Sequence, residues 1–141
     1  MRNSMLMILF LIGGLCLAHG QSIVGKWKTF DDQTGDAKSI VEILEKDGKY
    51  HGKVVEILNP AKKDSKCENC PGTDKGKPIE GLTIIKNLTK KGAEYTGGTI
   101  IDPQSGKEYK CSIKTNGTTK LEVRGYVGIS LIGRTQTWTK M

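Results

Sequence analysis

Histidine is nearly absent from this chain, with two in 141 residues. Aromatic side chains make up only 6% of it. No segment carries apolar residues at the helical period over a helix's length. Each shortage excludes something. One histidine, His19, lies in the N-terminal apolar segment, so His51 is left without a second imidazole and no Ser-His-Asp set can be assembled. Glu42, Glu45 and Glu56 are spread over two segments and read as solvated carboxylates. No catalytic residues are therefore assigned, and the chain is not expected to be an enzyme. The aromatic shortage leaves little for base stacking, so nucleic acid is not an expected partner. The missing helical period excludes a bundle. Charged residues at 26% and hydrophobic residues at 36% exclude a membrane-embedded or collagen-like chain. The length is that of one domain, with no second domain to hold a cofactor, and none is expected.

What is present begins with a leader. Residues 1–20 read MRNSMLMILFLIGGLCLAHG. Arg2 supplies a positive start, Met5 to Leu17 an apolar run, and Ala18-His19-Gly20 a small-residue site before Gln21. This is the pattern of a cleaved secretory signal peptide. The run is short for a membrane anchor. Leu15 before Cys16 is too bulky for lipoprotein processing. The expected product spans residues 21–141 and is secreted or periplasmic, without a transmembrane segment.

Residues 21–141 alternate short β-type runs with turn signals. Strands are expected at about 23–30, 37–45, 49–58, 82–87, 94–101, 107–115, 119–126 and 129–140. Asp47-Gly48 and Asn116-Gly117 are hairpin signals. Asp102-Pro103-Gln104-Ser105-Gly106 is a further turn. A long connection runs from Asn59 to Glu80. Gly97-Gly98 inside the fifth run predicts a bulge or sharp bend. Tyr109, Cys111 and Ile113 share one face of the sixth, and Leu121 and Val123 one face of the seventh. For the third, the pattern leaves open whether Tyr50, Gly52 and Val54 or Val55 and Ile57 point inward. Eight evenly spaced strands joined mainly by hairpins predict an all-β fold, a closed antiparallel up-and-down barrel or a sandwich. Closure removes exposed edges, and eight strands leave room for packed side chains or one small ligand.

Gly25-Lys26-Trp27 on the first strand resembles the G-x-W signature of lipocalins and their calycin relatives. That resemblance implies that Trp27 closes one end of the barrel, with Arg134 of the last strand packed over the indole and Arg124 as the lesser alternative. The stretches IVGKWKTFDDQTG, KPIEGLTIIKNL, YTGGTIIDPQSGKEY and LEVRGYVGISLIGRTQTW resemble the secreted bacterial family known as domain of unknown function 2147, over about 23–141. The resemblance implies a lipocalin-like, eight-stranded barrel and no established activity.

Cys67-Glu68-Asn69-Cys70 lies in the long connection. Zinc wants about four ligands, and only Cys111 and His51 remain to complete a set, so no metal is expected. A thiol-exchange site wants a thiolate stabilised at a helix start, which this loop lacks. The simplest reading is a disulfide between Cys67 and Cys70, with Cys111 a free, buried small hydrophobe. A bond from the loop to Cys111 is the alternative pairing. The +7 formal charge is spread along the chain as on a solvated outer face.

These readings predict a binding module that holds a small, partly apolar ligand in its barrel, with Tyr95, Tyr109 and Ile113 as the ligand-facing candidates and the 59–80 loop as a lid. The alternatives are an envelope protein that meets an anionic membrane surface or glycan through its basic outside, and a thiol-redox protein using Cys67 and Cys70.

Overall fold

The structure, a computed structural model, describes residues 22–129 and 132–141. The expected leader over residues 1–20 lies outside the described residues. Eight antiparallel strands run in sequence: β1 (Gly25–Phe30), β2 (Ala37–Lys46), β3 (Lys49–Ile57), β4 (Thr83–Lys91), β5 (Glu94–Ile101), β6 (Glu108–Asn116), β7 (Lys120–Tyr126) and β8 (Gly133–Lys140). They close into one barrel in chain order, β8 returning to β1. No helix among the described residues is long and apolar enough to cross a membrane.

Alternation decides what fills the barrel, because successive side chains on a strand point to opposite faces. Trp27, Val41, Ile43, Leu88, Tyr95, Cys111, Ile113, Leu121, Val123 and Trp138 are buried in one continuous cluster. Tyr50 meets Tyr95 edge-to-face with ring centroids 4.8 Å apart, a favoured aromatic geometry. Burial pushes the Tyr50 phenol up. Cys111 is free and fully buried, and desolvation pushes its thiol up to about 12.

Three local irregularities shape the barrel. On β3 the register jumps from Val41↔Val54 to Ile40↔Glu56, leaving Val55 as an extra residue. Tyr50, Gly52, Val54 and Ile57 are all buried in consequence, so both sides of the ambiguous pattern contribute to the core. The bend expected at Gly97-Gly98 is present, with Gly97 at φ 79° and a register shift between Tyr95 and Gly98. It faces a kink in β4, where Asn87 has φ 62°. β4 runs through that kink to Lys91, four residues beyond the end expected from sequence. The Asn87 amide donates to His51 Nδ1 at 3.4 Å, which gives the lone histidine of the barrel a structural partner.

The hairpins β2–β3, β4–β5 and β6–β7 gather at one end with both chain-terminal strand ends. Ile23 is buried there, and Trp27 Nε1 donates to its carbonyl at 2.8 Å, folding the entering chain back as a plug. The connections β1–β2, β3–β4, β5–β6 and β7–β8 gather at the other end. Two of these turns share one design. In Asp31–Gly35 and Asp102–Gly106 the aspartate carbonyl accepts from the glycine amide, at 2.9 and 2.7 Å. Each aspartate Oδ1 also accepts from a glutamine amide at 2.9 Å. The Thr34 amide, which also donates to Asp31 Oδ1 at 2.9 Å, and then the Gln33 amide hold the Asp31 carboxyl below the usual carboxylate range.

Candidate functional site: the loop-bearing end of the barrel

Backbone pairing between β1 and β8 runs over Trp27↔Lys140 and Lys28↔Thr139 and continues in Met141 N donating to Lys26 O at 3.1 Å, near the plugged end. Toward the other end side chains take over. The register Leu121↔Trp138, Val123↔Gln136 and Gly125↔Arg134 puts Trp138, Gln136 and Arg134 on the inner face of β8. Trp138 Nε1 donates to Gln136 Oε1 at 3.3 Å, and Gln136 Nε2 donates to Asp32 Oδ2 at 2.9 Å. Arg134 Nη1 reaches the same oxygen at 3.0 Å. A polar ladder thus climbs from the core to the rim and ties β8 to the β1–β2 turn.

This geometry corrects the placement of Arg134 over Trp27. Trp27 lies opposite Lys140, six residues along β8 from Arg134, or roughly 20 Å at about 3.3 Å per residue. Trp27 does plug one end, with Ile23 rather than an arginine above it. Arg134 sits at the opposite rim, its side chain 71% exposed. The G-x-W signature could not reveal this, because the partner of a residue depends on strand register.

The three ligand candidates do not form one site. Tyr95 and Ile113 are register partners, 1% and 0% exposed, and belong to the packed core near the plugged end. Tyr109 lies further along β6, half-buried near the open rim. There it pairs with Ile100, which packs on the core without being fully covered. A methyl group at Gly125 would stand 3.4 Å from Ile100 Cγ2 and 3.5 Å from Tyr109 Cβ. Ile100, Tyr109 and Gly125 therefore lie side by side on the inner face at the mouth of the barrel, the loop-bearing end, with Gln136 and Arg134 on the neighbouring β8. Sequence alternation assigned Tyr109 to the inner face; it could not give the depth at which each inward residue lies.

The long connection packs Asn69 against Gly106 of the β5–β6 turn at the loop-bearing end, and its Cys67 and Cys70 join the core cluster. Its segment Pro71–Asp74 lies across the outer wall, where the pairings Lys86↔Thr99 and Ile101↔Glu108 put Ile84, Lys86, Thr99, Ile101 and Glu108. These residues and the loop enclose a cleft of about 240 Å³. A second cleft, of about 210 Å³, lies beside it along Lys77–Thr83. The loop is anchored throughout. Cys67 N donates to Lys77 O at 2.8 Å, Ile79 N to Ser65 O at 2.9 Å, and Ile57 N to Glu80 Oε1 at 3.0 Å. Cys67 and Cys70 are disulfide-bonded, with Cα atoms 5.3 Å apart, and both are buried. Burial keeps the sulfurs from an attacking thiolate, so the arrangement gives no support to thiol exchange.

Asp74 fastens this loop to the wall. Its carboxylate accepts from Lys86 Nζ at 3.0 Å and Lys77 Nζ at 3.2 Å. The hydrogen bond from Lys86, then that from Lys77, holds its carboxyl below the usual carboxylate range. A carboxylate whose pKa is depressed by folding stabilises the fold fully above the unfolded value, and that contribution is lost as pH falls through the folded one. Acidification below about pH 4 is therefore expected to release hydrogen-exchange protection at Gly76 and Lys77 before the barrel strands lose theirs. Simultaneous loss at both places would show that Asp74 does not set the loop's attachment.

No group of three His, Cys, Asp or Glu side chains able to hold a metal occurs among the described residues. Glu56 is exposed on the outside, 3.8 Å from Lys63, whereas Glu45 is exposed at the plugged end beside its register partner Tyr50.

Fold and rim together define a lipocalin-like barrel with a plugged end and a loop-bearing end. The chain belongs to the bacterial family described as "Uncharacterized protein conserved in bacteria (DUF2147)", which matches residues 25–140. Among solved structures it is similar to protein HP1028 from the human pathogen Helicobacter pylori, described as belonging to the lipocalin family. The TM-score is 0.76 at 22% sequence identity, over 86% of this chain and 84% of that one. No curated protein matches the sequence.

Proposed function

We propose that this is an exported, non-enzymatic binding module that takes a small, partly apolar ligand at its loop-bearing end. The single observation behind this reading is the half-buried row Ile100, Tyr109 and Gly125, which faces inward without being covered. The deeper interior is occupied by the protein's own side chains, so the ligand sits shallowly at the mouth. Tyr109 supplies an amphipathic ring and Ile100 an apolar wall. Arg134 supplies guanidinium donors beyond the one directed at Asp32, which suits a ligand whose polar end is an anion or a carbonyl. Export rests on the leader pattern of residues 1–20 and on the disulfide, a bond that persists in oxidising compartments.

Native mass spectrometry of the exported protein, followed by denaturing extraction, tests the reading. A stoichiometric small molecule is expected on the wild type and absent from Gly125→Leu, whose side chain would fill the mouth while thermal unfolding stays close to wild type. The same molecule retained by Gly125→Leu would move the site elsewhere and sink the proposal.

A further inference from the structure

Two donors on the inner face of β8 converge on one oxygen. Gln136 Nε2 lies 2.9 Å from Asp32 Oδ2, and Arg134 Nη1 lies 3.0 Å from the same atom. A guanidinium beside an amide N–H is a chemical match for a carboxylate, and here the chain supplies the carboxylate itself. The amide is oriented from below. Its Oε1 accepts from Nε1 of the buried Trp138 at 3.3 Å, which leaves the N–H side of Gln136 facing the rim. These donors adjoin the apolar row. Arg134 is the register partner of Gly125, where an added methyl group would reach both Ile100 and Tyr109. The inner face thus passes from apolar on β5 and β6 to cationic on β8.

Asp32 is a lightly held occupant of these donors. The side chains of Arg134 and Asp32 are 71% and 33% exposed, and an ion pair so open to water adds little to stability. The bonds that shape the β1–β2 turn belong to its neighbour. Asp31 O accepts from Gly35 N, and Asp31 Oδ1 from the Gln33 and Thr34 amides. The Asp32 carboxylate can therefore swing aside without unmaking the turn. We propose that Arg134 and Gln136 are the recognition point for the carboxylate of an amphiphilic ligand, and that Asp32 is the internal stand-in which such a ligand displaces. This rests on the mouth reading above and narrows the ligand to a monocarboxylate whose apolar chain lies over Tyr109 and Ile100. Asp32 is then a tethered competitor. It keeps the two donors satisfied in the free protein and lowers affinity for the ligand.

Isothermal titration of the exported protein with octanoate and with octanol, at about 0.1 M salt, tests the proposal. Octanoate is expected to bind about tenfold or more tightly than octanol, since the alcohol brings no charge to the guanidinium. Arg134→Gln is expected to remove that preference and to leave octanol unchanged. Asp32→Ala is expected to tighten octanoate by about twofold to fivefold, the release of one exposed ion pair. Asp36→Ala removes the same charge from the same turn and is expected to change octanoate less. Thermal unfolding of each variant checks that only binding is compared. Gly125→Leu is expected to abolish binding of both probes. Octanoate binding that survives Gly125→Leu would overturn the mouth reading and this proposal together. Octanol bound as tightly as octanoate, or octanoate bound equally by Arg134→Gln, with both probes lost in Gly125→Leu, would leave the mouth in place and overturn the carboxylate assignment. Asp32→Ala no tighter than Asp36→Ala would overturn the role of Asp32. Absence of octanoate binding to both the wild type and Asp32→Ala would overturn the proposal outright, whatever molecule the native spectrum shows.

Discussion

Gly98→Ala is expected to lower the stability of the barrel by about 3 kcal/mol, among the larger losses a single methyl group can cause. The added Cβ would overlap the Lys86 carbonyl oxygen and approach Leu88 N to 2.8 Å and Leu88 Cδ2 to 2.9 Å. Two of those neighbours are backbone atoms on either side of Asn87, where β4 is already kinked. They cannot step aside as a flexible side chain would. The paired bends in β4 and β5 let the wall turn a tight corner, and only the absence of a side chain at Gly98 lets the two backbones approach. Denaturant unfolding checks the magnitude, and two neighbours make it specific. Gly52→Ala, whose Cβ would meet only Ile85 side-chain atoms at 3.1–3.3 Å, is expected to cost less. Gly97→Ala meets no atom within 4 Å, and is expected to cost about 1 kcal/mol through its positive φ alone. Equal losses at all three positions would mean that close backbone approach is not the cause.

Trp27→Ala is expected to cost about 3–5 kcal/mol, lowering the melting temperature by about 10–20 °C. The indole is buried in the central cluster and closes one end of the barrel. Its Nε1 also satisfies the Ile23 carbonyl at 2.8 Å, so removing it leaves a cavity and frees the plug segment. Trp27→Phe keeps most of the apolar volume but not the donor, and about 1 kcal/mol is expected for it. If Trp27→Phe were as damaging as Trp27→Ala, the hydrogen bond to Ile23 would outweigh packing at this end. Arg134→Ala is expected to leave this end unaffected, since its partner Asp32 is at the other rim.

Much of the barrel was legible in the residues. Period-two alternation gave the inner faces of β6 and β7, because a strand with one wet and one dry face imposes that pattern on its sequence. Asp47-Gly48 and Asn116-Gly117 marked hairpins, because Gly48 and Gly117 take the positive φ such turns need. Gly97-Gly98 announced the corner. Where two patterns overlapped on β3, an extra residue at Val55 resolved them, and its location depends on pairing with β2.

The site was less legible. Tyr95, Tyr109 and Ile113 all read as inward, and two of them proved to be core. Alternation reports which face a residue occupies, and depth along the barrel axis depends on strand tilt and stagger. The Asn59–Glu80 connection read as a lid because length alone says nothing of direction. The Asp74–Lys86 contact and the facing residues on β4–β6 hold its Pro71–Asp74 segment on the outer wall.

The amino-acid sequence by itself determined the strand order, the hairpins and the family, since these depend on local backbone preference and on neighbours close along the chain, whereas the Cys67–Cys70 pair, open in the sequence, was settled by the structure. Only the tertiary structure decided that Arg134 meets Asp32 rather than Trp27 and that Pro71–Asp74 of the long loop lies on the outer wall. Those are contacts between residues remote in sequence, set by register across several strands. A shift of one position in any strand would reassign every one of them.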